Sequence, residues 1–312
     1  MDSYKSKIQL LVKVARMYYL EEKNQSEIAS ILGVSRPLVS KYLSDARELG
    51  IVKVHIHDLL SEDTDLLRQI VEKYNVVGGL IVPSSNNEDI NNQLLIDKTT
   101  EFLLSEISSD SRVGLGWGST IGGVAERISN LATSLKLSGE AIAMIGNAPT
   151  SNRNYHTNEL VRMLSEKTGL RPEYFYAPIY CYSEAEKEFF TSVESYKEIY
   201  RKWQNLDVVI VNIRNHPSVP DLATAARFGN LLQEKEAVGL ILGYYFDKEG
   251  NIIISDRDYI MQIPWDCLKK TKKVIAVASG RVNPLAIMGA LNTGIITHLI
   301  IDDIAAKQLC EL

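Results

Sequence analysis

The stretch Asn24-Gln-Ser-Glu-Ile-Ala-Ser-Ile-Leu-Gly-Val-Ser-Arg-Pro-Leu-Val-Ser-Lys-Tyr-Leu43 holds two short helices and the turn that joins them. Asn24 followed by Glu27 has the form of a capping box, which starts a helix running to about Leu32 with Ile28, Ala29 and Leu32 on its inner face. Gly33 stands where a left-handed residue closes a helix, Val34 plugs the corner, and Ser35 can cap a further helix whose first turn tolerates Pro37. Two helices joined this tightly, with the small Ala29 at their crossing, form a helix-turn-helix. In that layout the second helix enters the DNA major groove, and residues near its start face base edges and phosphates. Here they are Ser35, Arg36, Pro37, Ser40 and Lys41, while Leu38, Val39, Tyr42 and Leu43 look inward. Arg36 suits bidentate pairing with guanine, Ser40 can donate or accept, and Lys41, Gln25 and Ser26 suit the phosphate backbone. A plain three-helix bundle would make Arg36 and Lys41 mere solvated charges. The agreement of cap, turn and inner face at every position favours DNA reading.

Upstream, Ile8, Leu11, Val12, Ala15, Tyr18 and Tyr19 recur at three- and four-residue steps and predict an amphipathic first helix. Downstream, Ile51 to His57 alternates like a strand and could form one side of a wing. His55 and His57 share a face of that strand, but no third ligand follows, so solvated histidines are the simpler reading and no metal is expected. The chain has 312 residues, more than one core usually serves. We expect a helix-turn-helix domain over 1–58 and a second domain over 59–312, entered through a linker helix at about 62–74. Charge divides the same way. Residues 1–60 carry nine Lys/Arg against seven Asp/Glu, whereas the rest carry 25 against 32, within a net charge of -5. The basic end is the one that would meet nucleic acid.

Beyond the linker, apolar runs alternate with helical stretches, which predicts an α/β domain built on a parallel sheet. The expected strands are 77–82, 112–117, 141–145, 173–177, 208–213, 238–242, 274–278 and 299–302. Hydrophobic residues at 45% and charged residues at 23% exclude a disordered or fibrous chain. No apolar run reaches the length of a membrane helix and the start lacks the layout of a signal peptide, so a cytoplasmic chain without a membrane partner is expected. Cys181, Cys267 and Cys310 are far apart and read as ordinary thiols. One turn carries chemistry. Val113-Gly-Leu-Gly-Trp-Gly-Ser-Thr-Ile-Gly-Gly-Val-Ala125 runs from an apolar strand through glycines into a helix, where free backbone amides, the helix dipole and the Ser119 and Thr120 hydroxyls can hold an anion. It is neither a dinucleotide fingerprint nor a Walker loop. A tight connection without any ligand would use the same glycines.

Taken with the helix-turn-helix, this turn, Ala237-Val-Gly-Leu-Ile-Leu-Gly-Tyr-Tyr-Phe-Asp247, Val277-Ala-Ser-Gly280, Asn158-Glu-Leu-Val-Arg162, Lys167-Thr-Gly169, Tyr176-Ala-Pro178 and Leu299-Ile-Ile-Asp302 make the chain resemble the SorC/DeoR family of sugar-responsive bacterial regulators. The resemblance implies an effector domain like ribose-5-phosphate isomerase and glucosamine-6-phosphate deaminase, binding a phosphorylated sugar without converting it and without a cofactor. It also implies a homodimer or homotetramer on operator DNA, often as a repressor. By the same resemblance Gly116, Gly118, Ser119 and Thr120 hold phosphate, with Gly146 and Asn147 in the neighbouring loop. Three departures affect the ligand. Leu240 stands where the family commonly has an acid that anchors sugar hydroxyls. Ser279-Gly-Arg-Val-Asn283 replaces Gly-Gly-x-x-Lys, so Arg281 or Asn283 must serve where a lysine usually does. Met144-Ile-Gly-Asn147 lacks the lysine that a deoxyribose-phosphate sensor needs for a Schiff base. Two other readings stay open: a ligand-independent repressor whose second domain only oligomerises, and an enzyme using Asp247, Glu159 or His156, none of which lies in a catalytic motif.

Overall fold

A computed structural model describes residues 2–52, 63–85, 87–217 and 222–312. His55, His57 and most of the expected wing strand lie outside the described residues. The chain divides into two compact units, Met1–Ser61 and Glu62–Leu312.

The first unit contains α1 (Asp2–Tyr19), α2 (Gln25–Leu32) and α3 (Arg36–Glu48). Asn24 Oδ1 accepts the Ser26 and Glu27 amides at 3.0 Å, and Glu27 Oε2 accepts the Asn24 amide at 2.8 Å, completing the capping box. Gly33 ends α2 at φ 67°, in the left-handed region that favours glycine. Ser35 sits at the cap of α3, but its hydroxyl makes no capping bond. Val14, Ile28, Ala29, Val39 and Leu43 form one buried cluster and Leu11, Ala15 and Ala46 a second, with Tyr42 packed against both. The buried face of α1 differs from the predicted stripe. Val14 is buried where Val12 was expected, and Val12, Tyr18 and Tyr19 are exposed. Two apolar stripes overlap on this helix, and only the positions of α2 and α3 choose between them. Leu38 is half-buried and joins neither cluster.

The second unit runs α4 (Asp63–Tyr74), β1 (Gly78–Val82), α5 (Glu88–Glu106), β2 (Arg112–Leu115), α6 (Ser119–Ser129), β3 (Glu140–Ala143), α7 (Thr157–Thr168) and β4 (Arg171–Glu173). It continues with α8 (Glu184–Ser192), α9 (Glu194–Trp203), β5 (Val208–Asn215), α10 (Leu222–Phe228), α11 (Leu231–Glu234), β6 (Gly239–Ile241) and β7 (Tyr244–Phe246). It closes with α12 (Trp265–Lys270), β8 (Lys273–Ala278), α13 (Pro284–Asn292), β9 (His298–Asp302) and α14 (Asp303–Glu311). Seven strands pair in the order β1-β9-β8-β5-β2-β3-β4, all parallel. The central strands β5 and β8 are apolar and buried along almost their whole length, as strands covered on both faces must be.

Two expectations need correction. The strand read at 173–177 is β4 at Arg171–Glu173, because its pairing register with β3 joins Glu140 to Arg171 and Ile142 to Glu173. The strand read at 238–242 as another parallel member is instead β6, antiparallel to the end of β5 and paired with β7. Only Leu242 and Gly243 separate β6 from β7, a link long enough for a hairpin and far too short for a parallel crossover.

Chain direction across the sheet decides where a site can form. From β2 the chain moves to β3 and β4, whereas from β5 it moves the opposite way to β8 and β9. Right-handed crossovers in opposite directions put their helices on opposite faces. The carboxyl ends of β2 and β5 therefore flank a crevice, the usual ligand position in open α/β sheets.

At the opposite ends of the strands, Glu140 opens β3 nearly buried, with Lys202 Nζ at 2.7 Å and Arg171 also bonded to it. Burial raises a carboxyl pKa, but the hydrogen bonds and charges of Lys202 and Arg171 outweigh it and hold Glu140 below the ordinary value. A depressed native pKa adds stability that is present above the unfolded pKa and is lost as pH falls through the native value. Glu140→Gln is therefore expected to cost about 1–2 kcal/mol at pH 7. In urea unfolding, the gap to wild type should close on acidification below the carboxylate range.

Candidate functional site

Each unit presents one candidate surface. In the first, Ser26, Ser35, Arg36, Pro37, Ser40 and Lys41 are all exposed and Gln25 is half-exposed. Neither Arg36 nor Lys41 has an acidic partner among the described residues, so both charges remain available for phosphate or base. Gln25 opens α2 and Arg36 opens α3, so both helix starts carry groups able to bond DNA.

In the second unit, the glycine turn leaves β2 beside β5. Gly116 donates its amide to the Ile210 carbonyl at 2.9 Å, and Gly118 donates to the Asn154 carbonyl at 2.8 Å. Gly118 caps α6 at φ 106° and ψ 174°, a conformation essentially reserved for glycine. A Cβ there would also lie 3.0 Å from the Asn212 amide nitrogen. Ser119 is exposed and Thr120 half-exposed, and their hydroxyls make no hydrogen bond among the described residues. They stand at the start of an eleven-residue helix, where free amides and the helix dipole favour an anion. Trp117 packs edge-on against Tyr155 with ring centroids 5.1 Å apart, and its buried indole N–H has no hydrogen-bond partner among the described residues.

Gly146 and Asn147 follow β3 on the same edge of the sheet. The Gly146 amide donates to Met261, and a Cβ at Gly146 would meet the Pro178 carbonyl at 2.4 Å, so this glycine serves close backbone packing. Asn147 is half-buried, and its amide group is turned to the Phe175 carbonyl and the Asn158 amide at 3.5 Å, ordering neighbouring loops. Asn283 caps α13 through Leu285 at 2.9 Å and also donates its amide to Asn215. Arg281 is exposed and paired with Glu88. Arg281, Glu88, Asn92, Ser279 and Asp302 line a cavity of about 200 Å³ at the ends of β8 and β9, two or three strands from the glycine turn. Leu240 lies opposite Arg214 on the hairpin, buried among Phe228, Leu232, Tyr245 and Ile253. The residues that meet at the crevice are thus Gly116, Gly118, Ser119 and Thr120.

Asn212 belongs beside them and was missed. Its signal was present, since polar Asn212, Arg214 and Asn215 end an otherwise apolar strand. Glu159, Asp247 and His156 do not converge: Glu159 holds Arg162, Asp247 holds Asn251, and His156 meets the Thr150 carbonyl. Among the described residues, no group of His, Cys, Asp or Glu is placed to hold a metal ion, and no helix is long and apolar enough to cross a membrane.

Comparison with known proteins assigns this architecture. The family described as "Putative sugar-binding domain" matches residues 58–311, and "Bacterial regulatory protein, arsR family" matches residues 5–54. The chain belongs to the SorC/DeoR family. A deoxyribonucleoside regulator of Bacillus subtilis (strain 168) is 27% identical over 315 residues, covering 98% of both chains. The transcriptional regulator LsrR of Escherichia coli (strain K12) is 25% identical over 308 residues, covering 96% of this chain and 93% of its own. The crystal structure of the full-length sorbitol operon regulator SorC from Klebsiella pneumoniae shares the fold, with a TM-score of 0.80 at 22% identity over 97% of this chain and 98% of that one.

Gly118→Ala places an L side chain in a disfavoured backbone region against Asn212. It is expected to destabilise the protein by about 1–3 kcal/mol in urea unfolding and to remove anion binding at the turn.

Proposed function

We propose that this protein is a DNA-binding transcriptional regulator whose operator affinity is set by a small phosphorylated sugar or related metabolite. The observation that carries this reading is the union in one chain of two features: a helix-turn-helix whose Arg36 and Lys41 have no acidic partner among the described residues, and a glycine turn with exposed Ser119 at the reversal of the sheet. Residues 1–58 read DNA and residues 59–312 bind the effector and assemble the chain. One helix-turn-helix covers one half-site, so a homodimer or homotetramer is the working form.

A ligand changes DNA affinity only if it binds the two states unequally. Ser119 and Thr120 supply donors for phosphate at the start of α6. The SorC/DeoR relatives favour regulation over catalysis, and the engaged state of Glu159, Asp247 and His156 supports the same choice. The replacement of the usual acid by Leu240 keeps a ligand-independent repressor as the second reading.

Two measurements test the proposal. Arg36→Ala is expected to weaken operator binding by about 1–3 kcal/mol and relax preference at one base step, while Lys41→Ala weakens all sequences alike and lowers the salt slope by about 1. Unchanged specific binding by Arg36→Ala overturns the DNA assignment. A thermal-shift panel of sugar phosphates tests the effector half: a ligand at 100 times its Kd adds about 2.7 kcal/mol of apparent stability. A flat panel selects the ligand-independent reading.

A further inference from the structure

We infer that Arg214 is a second anion-binding point in the crevice, so that the effector carries two acidic groups, one on the Gly118–Thr120 turn and one facing Arg214. This deepens the effector reading proposed above and rests on it.

Arg214 lies two residues beyond Asn212 on β5, and alternate residues of a strand share a face. Asn212 is the side chain that meets Gly118, so Arg214 continues the same face by about 6.7 Å toward the open end of the strand. Its position is fixed from the other side as well. In the antiparallel ladder Arg214 opposes Leu240, and Leu240 opposes Tyr245, so these three side chains share that face. Both neighbours belong to the apolar cluster of Phe228, Leu232, Leu240, Tyr245 and Ile253. Arg214 is half-buried beside this cluster and has no ion pair among the described residues.

Nearby cations are treated differently. Arg227 is buried beside the same hairpin, but Asp258 binds its Nε at 2.8 Å and its Nη2 at 3.0 Å. Arg281 is held by Glu88. A partly desolvated guanidinium without a counter-ion is costly, and an external carboxylate or phosphate meets its planar fork with paired hydrogen bonds. An acid at position 240 would stand directly across from Arg214 and neutralise it. Leu240 cannot, which leaves the charge for the ligand. The short spacing along β5 suits a compact ligand with acidic groups at both ends.

Three acyclic probes test this by titration calorimetry on the full chain. Glycerol 3-phosphate has one acidic group, 3-phosphoglycerate adds a carboxylate, and propane-1,3-diol bisphosphate adds a second phosphate. Wild type is expected to bind one or both doubly acidic probes about tenfold or more tighter than glycerol 3-phosphate, and the tighter of the two names the second group. Arg214→Gln should abolish the preference while keeping glycerol 3-phosphate affinity, and Arg214→Lys should restore part of it. Equal affinities in wild type, or a preference that survives Arg214→Gln, overturn the assignment of Arg214 and leave phosphate binding at the glycine turn intact. Failure of all three probes to bind wild type overturns both. Should Arg214→Gln fail to fold, the uncharged Arg214→Met decides in its place: loss of the preference supports the assignment, and a preference that survives overturns it.

Discussion

Strand order reverses between β2 and β5, and the glycine turn leaves the sheet at that reversal. The candidate site of the second unit depends on it. The reversal sets the β2 turn beside β5, with Gly116 and Gly118 buried and Ser119 exposed. It also places the amide of Asn212 against Gly118, where a Cβ would lie only 3.0 Å from the amide nitrogen, and the φ of 106° favours glycine by itself. The turn is therefore held by the Ile210 carbonyl of β5 and by the Asn154 carbonyl, while the Ser119 and Thr120 hydroxyls bond to none of the described residues. A rigid turn with free donors is how a fold prepares an anion site before the anion arrives.

The antiparallel hairpin of β6 and β7 gives the same crevice its chemical character. By pairing with the end of β5 it extends that strand past the parallel sheet and fixes Arg214 across from Leu240. Polar strand-end residues and an apolar cluster then meet on one face. The arrangement differs from the cavity at the ends of β8 and β9, where Arg281 and Glu88 already neutralise each other. In the first unit the logic is simpler. The capping box and the left-handed Gly33 fix where α2 starts and stops, and the start of α3 emerges with its charges uncompensated.

Legibility followed the range of the interactions. The helix-turn-helix was readable because its determinants are local: Asn24 and Glu27 are three residues apart, and Gly33 must supply a left-handed conformation by itself. The glycine turn was readable for the same reason. The buried face of α1 was not, because Val12 and Val14 are equally apolar and only the docking of α2 and α3 buries one of them. The hairpin was missed because a short apolar run has no direction until its partner is known. Asn147 and Asn283 were read as ligand contacts, yet their side chains meet Phe175, Asn158 and Leu285, partners set by loop packing and helix capping.

Sequence alone determined that the chain joins a helix-turn-helix to an α/β domain with a glycine turn leading into a helix, since the two motifs each lie within about twenty consecutive residues and depend on backbone conformation or capping. Only the tertiary structure decided which polar residues share the crevice. Gly118 and Asn212 are 94 positions apart in the chain, and Arg214 and Leu240 face one another only through the antiparallel register. Sheet order and register are set by burial of the whole core, which no local window contains.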